Sequence, residues 1–210
     1  VFNKSPFGYA LHKIVLDEKG KIADYLFLEV NSVFEKLTGL KKETIINKKV
    51  TEVFPQIKDD NFDWMSFYSK VALTKDEISF EQYFEPLKTW YKICAHSPED
   101  GYIVTTFSEV SKKDEGFYRF AERSSDLIYR YNFLPKPGYT YVNRAATSIL
   151  GYTPEEHYME PEIVLKIIHP DDKQLFLDYI GGKLPLEKPI QIRWIHKNGQ
   201  VLWLEQKNFP

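Results

Sequence analysis

The sequence predicts an α+β protein made of two copies of one unit, each an antiparallel sheet with short helices on one side. Three observations carry this. Two strand-like runs are followed by several short helical turns and then three more strand-like runs, and the same order starts again past residue 125. Asn31 precedes Gly39 by the same interval as Asn143 precedes Gly151, a shift of 112 positions (143 − 31 and 151 − 39). A repeat of ~110 residues is the size of a small domain and too long for a solenoid.

In the first copy, Phe7, Tyr9 and Leu11 alternate ahead of Ile14–Leu16, and the turn Asp17–Lys21 with its Gly20 leads into a return run over Tyr25–Val30. Two β-rich runs about a short glycine turn predict a hairpin. At Asn31-Ser32 the period changes: Val33, Phe34, Leu37 and Leu40 fall at helical spacing, with Asn31 or Ser32 as cap and Gly39 as stop. A short helix over Lys42–Ile46, a turn through Val50, Val53 and Phe54 to Pro55, and a longer helix over Asn61–Leu73 follow, the last with Trp64, Phe67, Tyr68 and Val71 on one face. Strands at Ile78–Phe84, Trp90–His96 and Tyr102–Phe107 close the unit, with Pro98–Gly101 as a turn.

Ser108–Ser125 is charged, with Phe117, Phe120 and Ala121 at helical spacing, and predicts an amphipathic connecting helix. The second copy has strands at Asp126–Tyr131 and Tyr139–Val142 about the turn Leu134–Gly138. Thr153-Pro154-Glu155-Glu156 is a capping box with proline at the first helical position. His169-Pro170-Asp171-Asp172 opens the next helix, with two acids at its positive end. Ile190–His196, Lys197-Asn198-Gly199 and Val201–Lys207 form a hairpin. At the same shift Leu37 matches Ile149 and Glu43 matches Glu155; Trp90 matches Trp203 at 113, and Val53-Phe54-Pro55 matches Ile168-His169-Pro170 at 115. No counterpart of Tyr102–Phe107 follows, so the second copy is one strand short. With Val1 in place of an initiator Met, the chain reads as a piece of a longer protein. The expected division is 1–110, a connecting helix over 111–125, and 126–210.

Phe27–Asn31, Phe34–Leu40 and Val53–Pro55 in the first copy, with Tyr141–Asn143, Leu150–Tyr152, Ile168–Asp172 and Arg193–Val201 in the second, resemble the PAS, or sensory box, family. The resemblance implies a five-stranded antiparallel sheet flanked by short helices, with a pocket between them. It further implies a sensory input module of a prokaryotic signalling protein, paired as a homodimer through its PAS domains and connecting helices, with a C-terminal effector such as a histidine kinase or diguanylate cyclase. Glu109-Val110-Ser111 stands where family members carry Asp-Ile-Thr, so Glu109 or Ser111 would cap the outgoing helix. The competing expectation is a dimerisation scaffold without a ligand.

The candidate pocket of the first copy is Phe34, Trp64, Phe67, Phe80, Tyr83, Trp90, Tyr91 and Phe107. That of the second is Tyr129, Tyr141, Asn143, Phe176, Arg193, Trp194, Trp203 and Glu205, with Tyr131 and Ile167 nearby. An apolar wall with a few polar groups is what a small organic ligand needs, and Asn143, Arg193, Glu205 and His96 are the polar residues closest in sequence to these walls.

Other chemistries lack their residues. No phosphate-binding glycine loop, hydrolytic triad, phosphoacceptor helix or cyclase motif is present, and no catalytic residue is expected. The helix over Asn61–Leu73 has no histidine for haem, and Cys94 lacks the Asn-Cys-Arg setting of a flavin adduct, so neither cofactor is expected and Cys94 reads as a buried, inert thiol. His12, His96, His157, His169 and His196 lie in separate elements, against a metal cluster. A net charge of −2 with dispersed lysines argues against nucleic acid, no apolar run is long enough to span a membrane, and the lone cysteine fits a cytoplasmic setting.

Overall fold

The computed structural model describes residues 5–134 and 136–209. Val1, Pro210 and Pro135, which falls in the turn expected over Leu134–Gly138, lie outside them. The chain divides into two compact units, residues 1–123 and 124–210.

The first unit begins with the hairpin β1 (Gly8–Leu16) and β2 (Ile22–Val30). Three short helices follow: α1 (Ser32–Thr38), α2 (Lys42–Ile45) and α3 (Val50–Val53). A 3-10 turn over Pro55–Asp59 leads to α4 (Trp64–Thr74), which starts at Trp64 because the Asp63 carboxylate accepts from the Ser66 amide. Strands β3 (Ile78–Phe84), β4 (Thr89–His96) and β5 (Tyr102–Glu109) complete one antiparallel sheet in the order β2-β1-β5-β4-β3. β5 is central: it joins the first hairpin to the second.

The sheet's inner face is set by register. Gly8, Ala10 and His12 of β1 stand directly opposite Phe107, Thr105 and Ile103 of β5, and Ile93 of β4 stands opposite Phe107. β1 therefore turns Gly8, Ala10 and His12 inward. A Cβ at Gly8 would come within 2.8 Å of the Phe107 ring, so glycine there is what lets that ring lie across the strand.

Helix α5 (Lys112–Ala121) covers the outer face of β4 and β3. Ser111 caps it, accepting from the Asp114 amide at 3.2 Å, while Glu109 remains the last residue of β5. The face expected to be apolar was Phe117, Phe120 and Ala121; Tyr118 and Ala121 are the residues buried, and Phe120 is 71% exposed. The helix is rotated because the Tyr118 ring stacks on Trp90 at 4.8 Å and its hydroxyl donates to Glu81. Cys94, expected to be buried, is half-buried, because it alternates to this same outer face.

The second unit holds β6 (Tyr129–Asn132), β7 (Gly138–Val142), α6 (Ala145–Leu150), α7 (Pro154–Met159), α8 (Ile163–Ile167), α9 (Lys173–Ile180), β8 (Ile190–Ile195) and β9 (Val201–Gln206). Its hairpins form two separate two-stranded sheets, β6-β7 and β8-β9. The described residues of this unit include no fifth strand, and in the first unit β5 is what bridges the equivalent hairpins. The Thr153–Glu156 capping box is formed, and Gly39 and Gly151 both end their helices in the left-handed region, at φ +72 and +76.

The repeat extends to hydrogen bonding. The Asn31 side chain accepts from the Tyr9 amide at 3.0 Å and donates to the Phe7 carbonyl at 2.9 Å. That of Asn143 accepts from Ile128 at 2.9 Å and donates to Asp126 at 2.9 Å. Each buried asparagine ties the end of the second strand to the start of the first, satisfying backbone groups that burial would otherwise leave costly.

Candidate ligand-binding cavity

A cavity of about 90 Å³, partly open to solvent, lies between the inner face of the first sheet and the helices packed on it. β1 and β5 supply His12, Thr105 and Phe107; β2 and β4 supply Phe27, Tyr91 and Ile93. The helical side contributes Phe34 and Thr38 of α1, Val50 of α3, and Trp64 and Tyr68 of α4. Phe54, Ile57, Phe84 and Leu87 complete the wall. None of these described residues is Asp, Glu, Lys or Arg.

Edge-to-face contacts fix the aromatic wall. Phe107 meets Phe34 at 5.6 Å and Tyr91 at 5.3 Å, and Phe27 meets Phe34 at 5.8 Å. Most polar atoms of the lining already have partners in the protein. Thr38 donates to the Phe34 carbonyl, Trp64 Nε1 to Asp60, and the Tyr91 hydroxyl to the Leu37 carbonyl. Burial pushes the Tyr91 phenol up to about 12, which keeps it a donor at neutral pH.

His12 differs. It is 8% exposed, its ring lies 4.7 Å from Phe27, and its Nδ1 is buried with no hydrogen-bond partner. Its Nε2 is 3.5 Å from the Thr105 hydroxyl, at the limit of a hydrogen bond. Burial lowers the imidazole pKa to about 4, so the ring is neutral at pH 7.

Of the eight residues expected in this pocket, the structure brings Phe34, Trp64, Tyr91 and Phe107 to the cavity. Phe67 and Phe80 are buried beside it, in a filled cluster with Phe62, the Phe67 and Phe80 rings 4.7 Å apart. Tyr83 and Trp90 stand opposite each other on the outer face, toward α5. His12 and Thr105 were missed; the signal that finds them is the inward series Gly8, Ala10, His12 once its pairing with β5 is known.

In the second unit the expected residues are not gathered round one space. Asn143 is occupied with backbone groups. Arg193 donates to Asp172 and Asp171, which draws the Asp172 carboxyl down to about 2, and its guanidinium lies 5.4 Å over Trp203. Trp203 is 67% exposed and Glu205 is exposed. Phe176 and Trp194 meet edge to face at 6.4 Å in the core, and Tyr141 is buried. The Tyr129 hydroxyl donates to Asn208 and accepts from Gln206. In the first unit, His96 is half-buried at the end of β4.

Among the described residues no group of three or more His, Cys, Asp or Glu side chains is placed to hold a metal ion, and no helix is long and apolar enough to cross a membrane.

Comparison with known proteins matches residues 1–72 to a family described as PAS domain and residues 139–210 to one described as PAS fold. No curated protein matches the chain. Among solved structures, the Rhodobacter sphaeroides LOV protein is 16% identical with a TM-score of 0.40, covering 53% of this chain and 63% of that one. A domain of a sensory box sensor histidine kinase/response regulator from Geobacter sulfurreducens is 13% identical with a TM-score of 0.39, covering 51% and 87%. The LOV domain of an Erythrobacter litoralis blue-light activated histidine kinase is 16% identical with a TM-score of 0.38, covering 52% and 100%. This chain thus spans less than two thirds of the first of these structures.

Proposed function

Because the chain belongs to the PAS family and carries two PAS domains in tandem, which are sensory rather than catalytic modules, we propose that the first is the sensor and binds a small organic molecule in its cavity. The observation that carries this reading is the position of the cavity relative to α5. Tyr91 lines the cavity on the inner face, while its neighbour Trp90 stacks on Tyr118 on the outer face. A strand alternates its side chains between faces, so two consecutive residues of β4 connect the wall of the cavity to the helix that leaves the domain. A ligand that favours one placement of Tyr91 biases Trp90 and with it α5; the bias can be no larger than the ligand's differential affinity for the two arrangements.

Haem and flavin are much larger than a 90 Å³ space, which favours a compact ligand. In the second domain Asn143 is engaged by backbone groups and Arg193 by ion pairs, which supports a relaying role there. The effector, a histidine kinase or a diguanylate cyclase, is then the output of the whole protein.

Leu87, half-exposed on the cavity wall, is the residue to test. Single-ring aromatic compounds are expected to raise the melting temperature of the first domain, and Leu87→Trp, which fills the space, is expected to abolish that rise while leaving the unliganded melting temperature within a few degrees. A rise that persists in Leu87→Trp places the binding elsewhere.

The same reading includes a homodimer. Phe117 is 41% and Phe120 71% exposed on α5, an apolar surface suited to the same surface on a second copy. Phe120→Glu is expected to shift the sedimenting species from dimer to monomer; a wild-type chain that is monomeric at high concentration argues against pairing through α5.

A further inference from the structure

Resting on the sensory reading of the cavity, we propose that its ligand is a small uncharged molecule, mostly apolar, carrying one hydroxyl or comparable hydrogen-bonding group that is recognised by His12 and Thr105. The wall rejects charge: none of its described residues is acidic or basic, so an ionised ligand would be buried without a counter-ion. Size points the same way. An apolar cavity of about 150 Å³ admits benzene, and this one, at about 90 Å³ and partly open, suits a molecule of single-ring size or smaller.

Two polar places are left over on the wall, the Tyr68 hydroxyl on α4 and the His12–Thr105 pair on the sheet, and the second offers both a donor and an acceptor. Thr38, Trp64 and Tyr91 spend hydrogen-bonding groups on the protein itself. His12, more than nine-tenths buried, keeps an unpartnered Nδ1, and its other nitrogen has only a long contact to Thr105. A buried nitrogen without a partner is costly and uncommon in a folded protein. A ligand hydroxyl beside the ring and Thr105 supplies the partner this end lacks, since it can donate to or accept from Nε2, whose own contact is long. The depressed basicity of the ring agrees, keeping His12 neutral and able to act as either donor or acceptor. His12 is then the residue that separates hydroxylated from purely apolar compounds of equal shape.

Phenol and toluene make the test, because they share size and differ in one group. In a purely apolar cavity toluene binds more tightly, since phenol gives up a hydrogen bond to water on entry. Titration calorimetry of the full chain is expected to show phenol binding at least as tightly as toluene. His12→Leu is expected to weaken phenol about tenfold and to leave toluene within about twofold. Thr105→Val, which removes only the hydroxyl from this end, is expected to weaken phenol in the same direction and keeps the test open should His12→Leu not fold by circular dichroism. Toluene preferred by the wild type, or phenol affinity unchanged in a folded variant, overturns the role of His12 while the cavity remains a binding site. Binding of neither compound overturns the sensory reading of the cavity as well.

Discussion

Acidification from pH 7 to pH 4 is expected to cost the first domain about 3 kcal/mol of stability through His12 alone. The ring is buried, and desolvation lowers its pKa from 6.5 to about 4. The folded state therefore holds the neutral form, and the unfolded chain takes up the proton first. Stability through this group is fully present above pH 6.5 and falls as the pH drops from 6.5 to about 4, with a slope approaching 1.4 kcal/mol per pH unit. The measurement is chemical denaturation of wild type and His12→Gln at several pH values between 7 and 4. The difference between the two isolates His12, because His157 in the second domain also has a pKa lowered by burial and adds a loss of the same sign to both proteins. Parallel curves for the two proteins would show that His12 does not stay neutral in the fold. Asp172 acts in a separate, more acidic window. Its carboxyl is held near 2 by hydrogen bonds from Arg193, so its contribution is present above about 4 and is lost as the pH falls through about 2.

The parts of the fold that could be read from sequence are those fixed by local chemistry. Asn31, Gly39, Thr153-Pro154 and Gly151 each do in the structure what their residue type does at a helix end. The repeat could be seen because the same end signals recur at one spacing. The cavity was legible only in part, because a strand exposes two faces and the sequence does not number them. Trp90 and Tyr91 are equally aromatic, yet one meets α5 and the other lines the cavity. Phe67 and Phe80 resemble pocket residues by type and are core by packing. His12 sits in a run whose larger apolar residues, Tyr9 and Leu11, alternate to the opposite face, and only the pairing of β1 with β5 brings it beside Thr105. In the second domain, Arg193 was read as a ligand contact because it lies next to the aromatic wall in sequence; the acids that engage it are 21 and 22 positions away.

The second large effect concerns coupling. Trp90, Tyr118 and Glu81 hold α5 on the sheet by a ring stack and a hydrogen bond, and Tyr118 and Ala121 are fully buried beneath it. A ligand that fills the inner side of β4 should steady Tyr91, and through the adjacent residue Trp90 should steady the helix as well. Binding stabilises the states that bind and leaves the others behind: at 100 times Kd the gain is about 2.7 kcal/mol, or about a hundredfold in the opening of any segment whose opening also empties the cavity. Helix α5 does not touch the cavity, so slowing of its exchange would reach it only through the sheet.

Amide hydrogen exchange of α5, followed by mass spectrometry with and without saturating phenol, therefore tests the relay directly. The account predicts that phenol slows exchange over Lys112–Ala121 at least tenfold, and that Leu87→Trp removes the effect. Protection confined to the strands and helices that line the cavity, with α5 exchanging at the same rate in both states, would contradict it.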